Sequence, residues 1–180
     1  MSPRAPSIKI VSAPTEQEKR IAQNRYNTWR FVQPGLLDAD TFLGSLDFGF
    51  AIQWKALCMT LEEQNYRGSV FAVGSLTMPA EVRNAYAIAK EKYTTIPDLD
   101  LLFSQRTQYY PEQLAKIARK TFSPNQMYAH YETIIIGKND GCRVHLIPAL
   151  QINGQMIPPR ELLQRLKKYH TPCVRLYASH

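Results

Sequence analysis

Pro111 to Leu146 reads PEQLAKIARKTFSPNQMYAHYETIIIGKNDGCRVHL, and its punctuation decides the fold class. Proline suits the first position of a helix, where its missing N–H would have no partner anyway. Leu114, Ile117 and Ala118 then recur at helical spacing and face inward, which turns Lys116, Arg119 and Lys120 outward. Ser123-Pro124 is an N-cap followed by a first-position proline, so one helix ends and a second short helix is predicted to begin. Thr133 to Gly137 is β-branched and strand-like, Lys138-Asn139-Asp140-Gly141 has hairpin-turn chemistry, and Cys142 to Ile152 supplies the return strand. Alternation along this hairpin sets Tyr131, Thr133 and Ile135 on one face with Val144, Leu146 and Leu150. His130, Glu132, Arg143, His145 and Gln151 fall on the other, which reads as a half-solvated polar face and not as a metal or catalytic site.

Upstream, residues 1–14 read as a loose, Pro-rich arm in which Ile8 to Val11 adds a short strand. Thr15-Glu16-Gln17-Glu18 is a capping box that opens a helix to about Phe31, stopped by Gln33-Pro34-Gly35. Asp38 or Asp40 caps the next helical piece. Leu46, Phe50, Trp54, Leu57 and Leu61 form the stripe of a largely buried helix to about Asn65. Ser69 to Met78 is β-like, Pro79 opens a further helix, and Leu99 to Phe103 makes a short strand. Downstream, Asn153-Gly154 marks a turn, Pro158-Pro159 lead into an amphipathic helix, and Cys173 to Tyr177 closes as a last strand. The reading is one α+β domain over 15–180: a helical portion at 15–68, a helix–turn–helix–hairpin unit at 79–147, and a closing helix and strand at 158–180.

The net charge is +7, and its distribution is uneven. Residues 1–30 carry six Lys/Arg against two Glu, residues 31–78 two against five acids, and residues 158–180 five against one. Positive charge gathered at both ends and on the 116–120 turn favours a polyanionic partner. The three cysteines, Cys58, Cys142 and Cys173, are dispersed with no Cys-x-x-Cys, so neither a zinc site nor a dithiol motif is read here. No apolar run approaches the roughly 18 residues of a membrane helix, and MSPRAPSIKIVSAP has no apolar core of a signal peptide. A soluble, cytoplasmic protein with no membrane partner and no cofactor is therefore expected. Asp47 with Gln53-Trp54-Lys55 imitates a metal-nuclease arrangement, but the spacing is too short and the periodicity is helical.

The order of elements over 79–147 resembles the winged-helix family. The resemblance implies DNA binding, with the helix after the turn in the major groove and the hairpin beside it. On this chain Asn125 and Gln126 would then read bases, with Tyr128 partly exposed, while Lys116, Arg119, Lys120, Lys138 and Arg143 meet phosphates. Tyr109-Tyr110 beside Arg106 are further candidates for stacking on bases. A second resemblance covers residues 148–168, PALQINGQMIPPRELLQRLKK, which look like the end of a thioredoxin-fold protein. It implies a cis-proline at Pro148 and the Asn153-Gly154 turn, without the Cys-x-x-Cys on which redox chemistry depends. The functional expectation is a non-catalytic nucleic-acid-binding protein, DNA before RNA. The alternatives are an adaptor or scaffold subunit contacting other proteins, and a thioredoxin-fold protein lacking its motif.

Overall fold

The computed structural model describes residues 13–32, 36–90, 97–108, 111–137 and 142–179. In chain order its elements are α1 (Glu16–Val32), β1 (Leu36–Leu37), α2 (Ala39–Ser45), α3 (Phe48–Glu63), β2 (Gly68–Val73), α4 (Ala80–Ala89), β3 (Leu99–Gln105), α5 (Pro111–Thr121), β4 (Met127–His130), β5 (Thr133–Ile136), β6 (Val144–Pro148), α6 (Pro159–Lys168) and β7 (Cys173–Ala178). Local chemistry explains most boundaries. The Glu18 amide donates to the Thr15 hydroxyl at 3.1 Å, half of the expected capping box. Asp38 caps α2, accepting from the Thr41 amide at 2.8 Å and the Thr41 hydroxyl at 2.7 Å. Asn65, at φ 52°, ends α3 in the left-handed conformation that asparagine tolerates. Gln33-Pro34-Gly35, Ile8 to Val11, Tyr109-Tyr110 and the 138–141 turn lie outside the described residues.

The strands form one mixed sheet in the order β1-β7-β2-β3-β6-β5-β4. β3 lies between antiparallel β2 and parallel β6; β6, β5 and β4 follow as antiparallel neighbours. Helices cover both faces. On the first, Leu99, Leu101 and Phe103 of β3 pack with Leu57 and Leu61 of α3 and with Leu114, Ile117 and Ala118 of α5. On the second, Phe71 and Cys173 pack with Leu162 and Leu166 of α6. α1 and α4 make a smaller cluster of Tyr26, Met78 and Val82, with the Tyr26 and Tyr86 rings edge-to-face at 5.0 Å. Among the described residues no helix is long and apolar enough to cross a membrane.

Two expectations for the hairpin region need correction. Where a recognition helix was expected after Ser123-Pro124, the chain makes a single 3-10 turn, Pro124–Gln126, and then β4. The cap and proline signals are local, whereas Met127–His130 finds a full pairing partner in Thr133–Ile136, with Tyr128 opposite Ile135. Pairing with a neighbouring strand overrides the local preference of such a segment. The winged-helix arrangement is thus not seen; the hairpin belongs to a seven-stranded sheet much larger than a wing. The hairpin alternation is also shifted by one residue. Ile134 and Ile136 oppose Leu146 and Val144 toward the first core, while Ile135 opposes His145. Three consecutive isoleucines satisfy either parity, and with both sheet faces covered the pattern does not choose between them.

In the C-terminal third one turn falls as expected, and two further features differ from expectation. Asn153-Gly154 makes a turn, with Gly154 at φ 83° and the Leu150–Met156 bridge behind it. Pro148 ends β6 in a trans peptide, not the cis bond implied by the thioredoxin resemblance. Tyr131, expected to point to the core, instead caps the β4–β5 hairpin at 93% exposure and φ 54°. A left-handed conformation costs a non-glycine residue roughly 1–2 kcal/mol. Tyr131→Gly should therefore leave stability unchanged or raise it by up to about 1 kcal/mol. Leu57→Ala, which empties a fully buried site, should lower it by about 2–5 kcal/mol. Urea denaturation of the two variants separates these outcomes.

Candidate functional site

α5 places its cations by simple geometry. Leu114, Ile117 and Ala118 are buried, so the helix is held by its apolar stripe against β3 and α3. The Thr121 hydroxyl adds a bond to the Ile117 carbonyl and one to the Thr60 hydroxyl of α3, both at 2.8 Å. Residues three and four apart share a helix face. Lys116 therefore lies beside Arg119 and Lys120, and all three are exposed. None forms an ion pair with a described residue. The chain leaves this helix through the 3-10 turn, which exposes Asn125 and Gln126 directly beyond the last cation. Backbone bonds brace the turn: Gln126 donates to Ser123 at 3.0 Å and accepts from Gly137 at 2.9 Å.

The remaining residues singled out from the sequence do not join this ridge. Lys138 lies outside the described residues. Tyr128 is half-buried, and its register partner Ile135 pairs in turn with His145, so Tyr128 belongs to the sheet face opposite α5. Arg143 is already engaged: its Nε lies 3.0 Å from Asp98 Oδ1. The structure thus brings together Lys116, Arg119, Lys120, Asn125 and Gln126, and sets Tyr128 and Arg143 apart from them.

Arg143 is part of a four-residue charged network that joins the starts of β3 and β6. Asp100 and His145 are register neighbours on these parallel strands. His145 Nδ1 is 3.2 Å from Asp100 Oδ1, and Nε2 is 3.4 Å from Asp98 Oδ2. The second approach is an ion-pair contact only, because Nε2 makes no well-aligned hydrogen bond. The Asp100 hydrogen bond raises the affinity of His145 for its proton above the ordinary value. Partial burial opposes this, the charges of Asp100 and Asp98 assist it, and Arg143 opposes it. Gly74, at φ 85°, lets backbone pass close by; a Cβ there would lie 2.6 Å from Asp100 Oδ2. Both imidazole nitrogens face carboxylates, so neither is presented to a substrate. With His145 protonated, two cations balance two anions, and the network acts as a clamp between β3 and β6. Its signal in the sequence is Asp-x-Asp at 98–100 against Arg-x-His at 143–145, each on one side of a strand.

Other chemistry is weaker. His130 lies opposite Thr133 at the hairpin end, away from His145, so the polar face read from the sequence is not assembled. Among the described residues no group of three His, Cys, Asp or Glu is placed to hold a metal ion. Burial pushes the Cys173 thiol up to about 11 and raises that of Cys58, which keeps both from forming the reactive thiolate near neutral pH. Comparison with protein-family models, curated proteins and solved structures finds no match to this chain.

The clamp has a pH signature. A histidine whose folded affinity for its proton is raised contributes stability that is complete below its unfolded value, ordinarily 6.5, and is lost as pH rises through the folded value. The urea midpoint of the native chain should fall relative to that of His145→Gln as pH rises above 6.5. Parallel midpoint curves for the two proteins would show that the clamp does not titrate in this range.

Proposed function

We propose that this chain is a non-catalytic nucleic-acid-binding protein that grips the phosphate backbone with α5, DNA being favoured over RNA. The observation that carries the reading is a single helical turn, held rigidly by a buried stripe, with three exposed cations, none of them ion-paired with a described residue. Lys116, Arg119 and Lys120 meet phosphates, and Asn125 and Gln126 reach sugar or base edges from the turn that follows. The overall charge of +7 draws a polyanion toward the surface. A winged-helix mode of docking does not fit this reading, because the 3-10 turn at Pro124–Gln126 is too short to enter a groove as a recognition helix does. Contacts to the backbone then dominate, and discrimination among sequences is small.

A second reading, an adaptor that docks another protein, is favoured by α3. Phe48, Ile52 and Met59 are 79%, 50% and 54% exposed, and their spacing lines them along one side of the helix. Exposed apolar side chains gathered on one side of a helix are suited to an interaction site, here with exposed Lys55 set among them.

Binding of labelled duplex and single strands, titrated with salt, separates the two readings. Each lost phosphate contact reduces the slope of log affinity against log salt by about one. Replacing Lys116, Arg119 and Lys120 together by Ala should cut the slope by roughly two to three and weaken binding at low salt at least about tenfold. Arg143→Ala should leave the slope unchanged and lower the unfolding midpoint, because its partner is Asp98. Salt-insensitive or undetectable binding by the native chain would overturn the nucleic-acid reading, and a light-scattering mass that Ile52→Glu reduces would show that the exposed side of α3 is a protein-contact surface.

A further inference from the structure

We propose that the corner where α1 and α6 end is a stacking platform for single-stranded nucleic acid, a second contact surface that rests on the nucleic-acid reading above. Large apolar side chains are left outside here: Phe31 is 51%, Val32 72% and Tyr169 65% exposed. The last turn of α1 meets the residues after α6 through Phe31 and His170, whose rings lie edge-to-face at 4.7 Å. His170 takes a left-handed backbone, φ 51°, which turns the chain sharply at this point.

Cations interleave with the rings. The Arg30 guanidinium lies 4.6 Å from the centre of the Phe31 ring and 5.5 Å from that of Tyr26. The Lys168 ammonium lies 5.7 Å from the Tyr169 ring. Lys167 is exposed beside it. Arg30 Nε is buried with no hydrogen-bond acceptor among the described residues, and the guanidinium lies against aromatic rings and not against a carboxylate. The one carboxylate of α6, Glu161, is occupied by Arg165 at 2.7 Å. The positive surface also extends along α1. Arg20 is eleven residues before Phe31, close to three full turns, and Arg25 is seven before Val32, close to two.

This chemistry selects its ligand. A polyanion is required by the unneutralised cations, and the exposed rings require a partner with open π-faces. Unstacked bases supply those faces, whereas a duplex hides them, and aromatic–cation surfaces of this kind are how proteins hold single strands. The corner packs through α6 on the second sheet face, while α5 packs on the first. The two surfaces therefore act on separate stretches of nucleic acid, and their effects on binding should multiply.

The test uses the full chain and fluorescence anisotropy of a labelled oligothymidine, a duplex of equal length, and sedimentation with phosphatidylserine vesicles. Phe31→Ala with Tyr169→Ala should weaken single-strand binding about tenfold or more, leave duplex binding and the salt slope unchanged, and spare vesicle binding. Phe31→Trp with Tyr169→Phe should restore it. Equal loss on duplex and single strand, or no loss on either, overturns the platform. Loss confined to the vesicles overturns it in favour of an acidic membrane surface. If the corner variants are silent while the Lys116, Arg119 and Lys120 variant still lowers the slope, only the platform fails. If no variant and no nucleic acid gives a salt-sensitive signal, both readings fail together.

Discussion

The parallel pairing of β3 with β6 holds the centre of the sheet together. β3 is hydrogen-bonded on both sides, antiparallel to β2 and parallel to β6. Its Leu99, Leu101 and Phe103 have no exposed surface. Parallel neighbours cannot be joined by a tight turn, so the chain must cross back between them. The crossing is made by α5, the 3-10 turn, β4 and β5, the stretch that carries every exposed cation and amide assigned to the phosphate grip. The Asp98–Arg143–His145–Asp100 clamp sits where the paired strands begin and fixes their register with opposite charges. In this arrangement the sheet determines where the ridge stands, and the ridge has little freedom of its own.

Burial also explains why the ridge is a surface and not a groove reader. Leu114 and Ile117 each contribute on the order of 1.5–3 kcal/mol by leaving water, which anchors α5 flat against the sheet. Only its outer side is then free to touch a ligand. A backbone grip needs no more than this, whereas insertion into a major groove needs a projecting helix. The α1–α6 corner differs in kind: its rings and cations stand at helix ends, where a flexible strand can wrap around them.

Much of the fold is legible from local signals. Thr15 at its cap, the Phe50–Trp54–Leu57–Leu61 stripe, Pro111 at the start of α5 and the strand at Leu99 are each written within a few residues of where they act. The 124–131 segment is not, because a local cap and proline argue for helix while the deciding partner, Thr133–Ile136, argues for strand through tertiary pairing. The parity of Ile134, Ile135 and Ile136 is likewise set by pairing with β6 and not by composition. Of the candidate site, the α5 cations are readable because helical spacing puts them outside, whereas Asn125 and Gln126 are exposed on a 3-10 turn and not on the helix expected for them. The engagement of Arg143 is not legible locally, because its partner, Asp98, is 45 residues away in the chain. The α1–α6 corner joins Phe31 to His170 across most of the sequence, and only the folded chain brings them together.

Backbone amide exchange of the full chain, with and without a saturating single-stranded oligonucleotide, locates the contact on the molecule. Contact at the ridge should slow exchange across residues 116–126 while the outer side of α3 around Phe48 and Ile52 stays unchanged. Slowing confined to α3, with 116–126 unaffected, would show that α5 does not grip nucleic acid.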